Sequence, residues 1–190
     1  MRRLILTFLG AALLAGCSLG GDGPTTRDDS ESLVTVTSMK AAAGPTKGQS
    51  VITSDVSEGG SDLADVTFQN TTKSVAITAP STFFGVTLTR YRVVFSRGDA
   101  GPVPAPFEAA ISLFVPPPST QNGVITPGTA SATIVVVPAS AKTTSPLKDL
   151  PEAPATGQQI AASATITFEG QDGHGRRLST TGGIAVLFQP

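Results

Sequence analysis

Short segments in which apolar and polar side chains alternate recur along the chain from Ser32 onward. Val34 and Val36 alternate with threonines, and the apolar residues between Ala64 and Phe68 alternate with polar ones. Alternation with a period of two puts one set of side chains on each face of a strand, so these segments predict β-strands with one buried face. Further strands are predicted at 51–53, 75–78, 89–95, 107–115, 131–137, 160–168 and 178–188.

Two of these segments carry more specific predictions. In 89–95 the ring of Tyr91 should face inward, whereas Arg90 and Arg92 should lie on the outer face. The segment 131–137 is β-branched through its second half, so it should be buried on both faces or lie at the centre of a sheet. In the segment 89–95, the residues predicted to face inward are Thr89, Tyr91, Val93 and Phe95.

Turn and helix signals connect the strands. The Asp-Gly-His-Gly sequence at 172–175 separates the last two segments and is a strong β-hairpin signal. One short helical turn is predicted at 145–150, with Ser145 as its N-cap and Pro146 at the first helical position. Prolines follow that segment at once and should limit it to about one turn.

Seven to nine strands with short turns, and no alternation of strands with helices, indicate an all-β fold. The predicted architecture is a single antiparallel β-sandwich with immunoglobulin-like or related topology over residues 32–190. A chain of about 160 residues is long enough to build one hydrophobic core. The Cys and Trp hallmarks of antibody domains are absent from it, and an architecture of this kind implies no particular activity.

The first residues of the chain have the organisation of a secretory signal peptide. Arg2 and Arg3 form a basic start, and an apolar run of eleven residues covers 4–14. A helix needs about 20 apolar residues to cross a bilayer, so this run is too short for a permanent span. Residues 1–16 are therefore predicted to be a signal peptide that is removed.

The residues at the predicted cleavage site resemble the lipobox of bacterial lipoproteins. Leu14, Ala15 and Gly16 place an aliphatic residue and two small residues directly before Cys17. The resemblance implies transfer of diacylglycerol to the Cys17 sulfur, cleavage after Gly16 and, in many bacteria, acylation of the new amino terminus by a fatty acid such as palmitate. Two or three acyl chains, at about 0.8 kcal/mol per buried CH₂, make a durable membrane anchor. In such lipoproteins, a serine at the place of Ser18 favours the outer membrane, with the domain facing the periplasm or the cell surface.

Cys17 is the only cysteine in the chain, which bears on the alternative that it is an ordinary residue near a conventional cleavage site. A single cysteine has no intramolecular partner, and an exposed free thiol in an oxidising compartment is a liability. Lipidation removes that problem and favours the lipoprotein interpretation. The strand around Tyr91 and the turn at 172–175 also resemble modules of bacterial lipoproteins, a likeness that implies no chemistry.

Residues 17–31 are predicted to be a lipidated N-terminus followed by a flexible linker, because they are rich in glycine and charged residues. Charged residues make up 14% of the whole chain, and the remaining residues are rich in types that favour β-strands. Without the signal peptide the chain keeps 11 basic and 14 acidic residues, a net charge of −3. With that balance and a single tyrosine, nucleic-acid binding is not expected.

His174 is the only histidine, and Asp172 lies two residues before it. Together with a serine they could form the triad of a periplasmic hydrolase, which is one alternative for the function. The chain has no G-x-S-x-G motif, and a glycine-flanked turn explains both residues, because Asp bonds to the turn backbone and His is exposed. No catalytic residue and no cofactor are therefore predicted.

Asp55, Glu58, Asp62 and Asp65 fall within eleven residues around a Gly-Gly pair. Carboxylates on a glycine-containing loop are ligands that Ca²⁺ prefers, so a calcium-stabilised surface domain is a second alternative. The spacing does not match an EF-hand loop, and acidic loops are usually solvated, so the main prediction is no metal site. A zinc site is not expected, because the chain has one histidine and its single cysteine is the predicted lipidation site.

Arg90, Arg92 and Arg97 could form a basic stripe beside a membrane or a face that recognises carboxylates. Such residues are more often surface charges that keep a strand from pairing with another molecule. The predicted function is therefore that of a lipid-anchored cell-envelope protein. Its sandwich is expected to act as a non-enzymatic binding or assembly module for another envelope protein.

Overall fold

The structure is a computed structural model that describes residues 28–74, 80–150 and 159–190. Strands account for 59% of these residues and helical turns for 7%, so the all-β prediction is confirmed. The described residues form ten strands, more than the seven to nine predicted, because alternation did not reveal a short hairpin at 119–126. The strands are β1 (Ser32–Ala41), β2 (Val51–Asp55), β3 (Asp62–Thr72), β4 (Val86–Ser96), β5 (Phe107–Val115), β6 (Ser119–Gln121), β7 (Val124–Thr126), β8 (Gly128–Val137), β9 (Ile160–Asp172) and β10 (Arg177–Gln189).

The strands form two sheets and a separate hairpin. One sheet has the order β1-β3-β8, the other has the order β2-β10-β9-β4-β5, and β6 pairs with β7. All described pairs are antiparallel except β2 and β10, which run parallel. The prediction of a wholly antiparallel sandwich is wrong at this pair. Parallel pairing is possible there because the two strands lie far apart in the chain.

A single hydrophobic core lies between the two sheets. Phe68 of β3 and Phe168 of β9 are fully buried, and their rings meet edge to face with centroids 4.8 Å apart. Such a pair contributes about 0.5–1.5 kcal/mol beyond the burial of its area. Together the strands form a curled half-barrel, in which β1 lies alongside β10 and β5 lies alongside β8.

Alternation predicts the faces of β4 with one error. Tyr91 is buried, and Arg90 and Arg92 are exposed, as predicted. Thr89 was expected to face inward but is exposed. An irregularity of register between Leu88 and Arg90 shifts the strand there, so Leu88 takes the inward position.

β8 was expected to be buried on both faces or to lie at the centre of a sheet, but Ser131 and Thr133 are exposed and the strand lies at an edge, where it pairs with β3. Its last residues are still buried, because β5 and the side chain of Tyr91 cover the edge from the opposite sheet. The Oη of Tyr91 donates to the carbonyl oxygen of Val135 at 3.2 Å and accepts from its backbone N–H at 3.1 Å. One hydroxyl therefore satisfies both backbone groups of an edge residue.

The helical turn predicted after residue 144 is present but begins later than expected. It covers Leu147–Asp149 with Pro146 at the N-cap position, so Ser145 does not cap it. Two other helical turns, α1 (Ala139–Lys142) and a 3₁₀ turn at Thr82–Phe84, were not predicted. Each is three or four residues long, too short to produce a helical period in the sequence.

The strand registers define two ends of the domain. Ser32 of β1 faces Thr72 of β3, and Val86 of β4 lies between Val115 and Asp172, so these residues mark one end. The tether end comprises residues 28–31, 73–74, 80–85, 116–127 and 172–176. The far end comprises residues 42–50, 56–61, 97–106 and 138–150, together with Pro190.

The predicted signal peptide, Cys17 and the first part of the linker lie outside the described residues. The strand predicted at 75–78 also lies outside them. Among the residues that are described, no helix has the length and apolar character that a membrane span requires.

Replacing Tyr91 by Phe should destabilise the domain by about 1–3 kcal/mol, because both backbone groups of Val135 lose this partner while the ring packing is kept. The measurement is urea unfolding, where the midpoint should fall at an unchanged m-value. Ser112→Ala, on the exposed face of β5, is the control and should change stability by no more than about 0.5 kcal/mol. Equal midpoints for the two variants would contradict this role of the hydroxyl.

Candidate functional site

Asp172 ends β9 and organises the turn that follows it. Its Oδ1 accepts from the backbone N–H groups of His174 and Arg176, both at 2.9 Å. Its Oδ2 accepts from the Oγ of Ser30 at 2.8 Å. The hairpin predicted at 172–175 is confirmed, with Gly175 at a φ of 77°. The buried carboxylate of Asp172 therefore holds the turn and a distant segment together.

His174 and Asp172 do not form a catalytic pair. Asp172 bonds to the backbone of His174, while the imidazole is exposed and packs on the ring of Phe83 with centroids 4.8 Å apart. The serine that reaches the carboxylate, Ser30, donates to it directly. A Ser-His-Asp triad requires the imidazole between the serine and the aspartate, so this geometry does not support the hydrolase alternative.

The end of the predicted linker is attached to the domain. Ser30 is buried, and the backbone N–H of Asp29 donates to the carbonyl oxygen of Arg177 at 3.1 Å. The Nζ of Lys73 lies 2.8 Å from Oδ1 of Asp28. The linker was predicted to be flexible as far as residue 31, but from Asp28 onward it is fixed to the tether end.

The pair of Ser30 and Asp172 is called the tether latch below. Burial of the Asp172 carboxyl favours its neutral form, but hydrogen bonds from Ser30, Arg176 and His174 outweigh this and lower its pKa. The ionised carboxylate is the form that accepts all three hydrogen bonds. The latch is therefore strongest when Asp172 is charged.

The four residues of the candidate calcium site are not arranged as ligands. Asp55 accepts hydrogen bonds from the N–H and the hydroxyl of Ser57, and Asp65 accepts one from Thr133 at 2.6 Å. Glu58 is exposed in the loop. Within the described ranges, which include all four residues, no three His, Cys, Asp or Glu side chains are placed to hold a metal ion. The calcium interpretation of this loop therefore has no geometric support.

The fourth residue of the candidate calcium site, Asp62, forms an ion pair with Lys142. The Nζ of Lys142 donates to the backbone oxygen of Asp55 at 2.9 Å and to Oδ1 of Asp62 at 3.3 Å. Oδ2 of Asp62 lies 3.2 Å from the same Nζ but is outside hydrogen-bond geometry. The side chain of Lys142 is only 2% exposed. A buried ammonium needs such partners, so this pair connects α1 to the start of β3.

Two depressions meet at Lys142 and together form what we call the far cleft. The first, of about 230 Å³, is mainly polar, and the second, of about 290 Å³, is lined largely by apolar side chains. A concave site with apolar walls and a few fixed polar groups is the usual form of a binding site. The residues used below to define the far cleft are Gly44, Asp55, Glu58, Gly60, Asp62, Lys142, Leu147, Lys148 and Leu150.

The three arginines of the predicted basic stripe are each paired with a carboxylate. The Nε of Arg90 donates to Oε2 of Glu169 at 2.6 Å, across neighbouring strands. Arg90 and Arg92 lie on β4, which is inside its sheet, so they do not protect a strand edge. Because each charge has a neighbouring counter-charge, the face carries no unpaired basic stripe at these positions. The pairs are Arg90–Glu169, Arg92–Glu108 and Arg97–Asp99.

Sequence reasoning missed Ser30 and Lys142. Ser30 lies in a polar run that gives no sign of burial. Lys142 offers a faint signal, because it is a lone charge after a long run of small and β-branched residues. Neither partner could be found from spacing, since Ser30 and Asp172 are 142 residues apart and Lys142 and Asp62 are 80 apart.

The fold and the two described sites define a class, an all-β domain whose N-terminal segment is bonded to one end and which has a cleft at the other. No protein-family model and no curated protein sequence matches the chain. A solved structure of a Bordetella pertussis protein provisionally named ApaA is similar over 84% of this chain and 94% of its own chain. The two are 13% identical with a TM-score of 0.36, a likeness that carries no argument about fold or function.

Asp172→Asn should lower the melting temperature more at neutral pH than in acid. The folded state lowers the pKa of Asp172, so its charge stabilises the fold above the unfolded pKa, and this contribution is lost as the pH falls through the folded pKa. The difference between wild type and variant should be largest from about pH 5 to 8 and should narrow below about pH 4. Glu108→Gln, on the exposed outer face, is the control. A difference that stays constant with pH would contradict stabilisation by the charge.

Proposed function

We propose that the chain is a lipid-anchored cell-envelope protein whose β-sandwich is a non-enzymatic binding or assembly module. Cys17 would carry the lipid, and an envelope protein would bind at the far cleft. The observation that carries the proposal is the placement of the cleft: the chain enters the domain at the tether end, through Asp28 and Ser30, and the cleft opens at the opposite end.

The lipobox supports the anchor. Leu14, Ala15 and Gly16 precede the single cysteine directly behind an apolar run. A thiol that is lipidated would be protected from oxidation in the envelope. Outer-membrane placement, facing the periplasm or the cell surface, is part of the proposal and rests on Ser18.

We also propose that the two sheets form an immunoglobulin-like sandwich, and the strand order supports this. The sheet β2-β10-β9-β4-β5 packs against β1-β3-β8, and the first two strands are divided between the sheets. Immunoglobulin-like domains also pack two such sheets, with their loops gathered at the two ends. Loops at the ends are where these architectures hold binding residues, whereas the architecture itself specifies no ligand.

The chemistry of the far cleft supports recognition of a partner. Glu58 and Lys148 place exposed charged groups on its lining, beside the buried side chain of Lys142. Leu147 and Leu150 add an apolar wall beside these groups. A partner side chain that is apolar with a polar tip could bury its body there and bond at its end.

Cys17→Ser should release the protein from the membrane fraction and abolish incorporation of labelled palmitate, because the modified atom is lost. The measurement is fractionation and labelling of whole cells that express the full chain. Ser18→Ala is the matched control and should stay membrane-bound and labelled. Continued membrane association and labelling of Cys17→Ser would contradict the anchor.

Gly60→Trp should reduce recovery of the crosslinked partner at least about tenfold, which corresponds to about 1.4 kcal/mol. A Cβ at Gly60 meets no atom within 4 Å, so the domain tolerates the side chain while the indole fills the mouth of the cleft. The measurement is quantitative pull-down of the full lipoprotein after mild crosslinking in intact cells.

Gly98→Trp is the matched control, since Gly98 is also at the far end, is equally unobstructed and lies outside the cleft. It should recover as much partner as wild type. Equal recovery with both variants would place binding outside the far cleft. Recovery of the bait alone from wild-type cells would contradict a protein partner.

A further inference from the structure

Exposed apolar side chains are concentrated at the tether end. Six large apolar side chains are exposed among the described residues, and four of these lie in tether-end loops or on the last two residues of β5. A cluster of this kind marks a contact with a protein or a membrane. The four are Phe83, Phe114, Val124 and Ile125, called the apolar tip below, and they are 54%, 57%, 64% and 38% exposed.

Hydrogen bonds to backbone carbonyl groups fix the segment that carries Phe83. Its carbonyl oxygen accepts from the backbone N–H of Gly173 at 2.9 Å. The next carbonyl, of Phe84, accepts from the Oγ of Ser32 at 3.0 Å and from the Nδ2 of Asn70 at 2.7 Å. The segment that carries the exposed ring is therefore bonded to three strand ends, and one of these bonds comes from the residue that begins β1.

The other members of the apolar tip extend from the same end. Phe114 lies over Gly85, where an added Cβ would come within 2.7 Å of the ring. Val124 and Ile125 belong to the hairpin of β6 and β7, which pair with each other apart from both main sheets. The hairpin turns at Asn122-Gly123, both with positive φ, which is the favoured chemistry of a tight turn. This hairpin presents apolar side chains to solvent at the tether end.

We propose that the apolar tip rests in the interfacial region of the bilayer to which the chain is anchored. The inference rests on the proposed lipidation of Cys17. Asp28 is eleven residues further along the chain than Cys17, so the lipid and the tether end can be at most about 40 Å apart. A strand of 13 residues such as β10 is itself about 40 Å long, so the tether end is the end that the anchor keeps close to the bilayer.

The charges around the apolar tip fit a neutral or weakly charged lipid surface. Lys73 pairs with Asp28, and Arg176 lies 3.4 Å from Glu31, so these charges at the tether end are compensated. Attraction therefore comes from burial of apolar side chains. Tethering keeps the local lipid concentration high, so a contact that is too small to recruit a free protein still orients an anchored one. The far cleft would then face away from the membrane.

The experiment uses the absence of tryptophan from the chain. Phe83→Trp and Val124→Trp are single reporters in the apolar tip, and Val94→Trp, exposed on β4 towards its far end, is the matched control. Each full lipoprotein is reconstituted into vesicles of phosphatidylethanolamine and phosphatidylcholine, which carry no net charge, with or without brominated acyl chains. Brominated lipid should quench the two tip reporters at least about twofold and leave the control unchanged.

Flotation with the vesicles is measured for every variant. Flotation without quenching of the tip reporters, or with equal quenching of the control, overturns the docking while the anchor stands. Loss of flotation overturns the anchor and the docking with it. Emission of the tip reporters that shifts with protein density, without quenching by brominated lipid, assigns the apolar tip to a second copy of the chain and also overturns the proposal.

Discussion

The two main sheets share no backbone ladder in the described structure, so the domain depends on side chains that cross the core. The edge-to-face contact of Phe68 with Phe168 joins the middle of the sheets. Tyr91 joins them at the side, where its hydroxyl completes the hydrogen bonding of Val135 in an edge strand. Packing of this kind fixes the relation of the sheets without using the loops. The loops at both ends are therefore available for other roles.

The two ends use buried polar pairs in the same way. At the tether end Ser30 and Asp172 fix the entering chain to a hairpin, and at the far end Lys142 and Asp62 fix α1 to β3. Each pair joins segments that are remote in sequence and that have few apolar groups of their own. Asp172, a candidate catalytic residue in the sequence, and Asp62, a candidate calcium ligand, both form structural contacts instead. A buried charge must be neutralised or hydrogen-bonded wherever it lies.

The strands could be predicted from sequence because alternation reflects a local physical requirement, the separation of a buried and an exposed face. The error at Thr89 came from a register shift that depends on pairing with β5 and β9, and the error at β8 came from a side chain of the opposite sheet. The hairpin of β6 and β7 has three-residue strands without a buried face, so alternation could not reveal it. Its turn was recognisable, since Asn122 precedes a glycine. The buried pairs at the two ends depend on tertiary structure and left no local pattern.

The structure also shows that the last residues of the predicted linker are bonded to the domain. A fully flexible linker to residue 31 would leave the orientation of the domain undefined, whereas attachment from Asp28 onward fixes where the chain leaves the domain. Orientation would then need only a small further contact, because the proposed anchor would already reduce the entropy of bringing the tether end to the bilayer. The apolar tip is the part of the described surface that could supply such a contact, and a far cleft held away from the membrane is accessible to a partner. The two proposals therefore depend on one geometric fact, that the chain enters the domain at the end opposite its cleft.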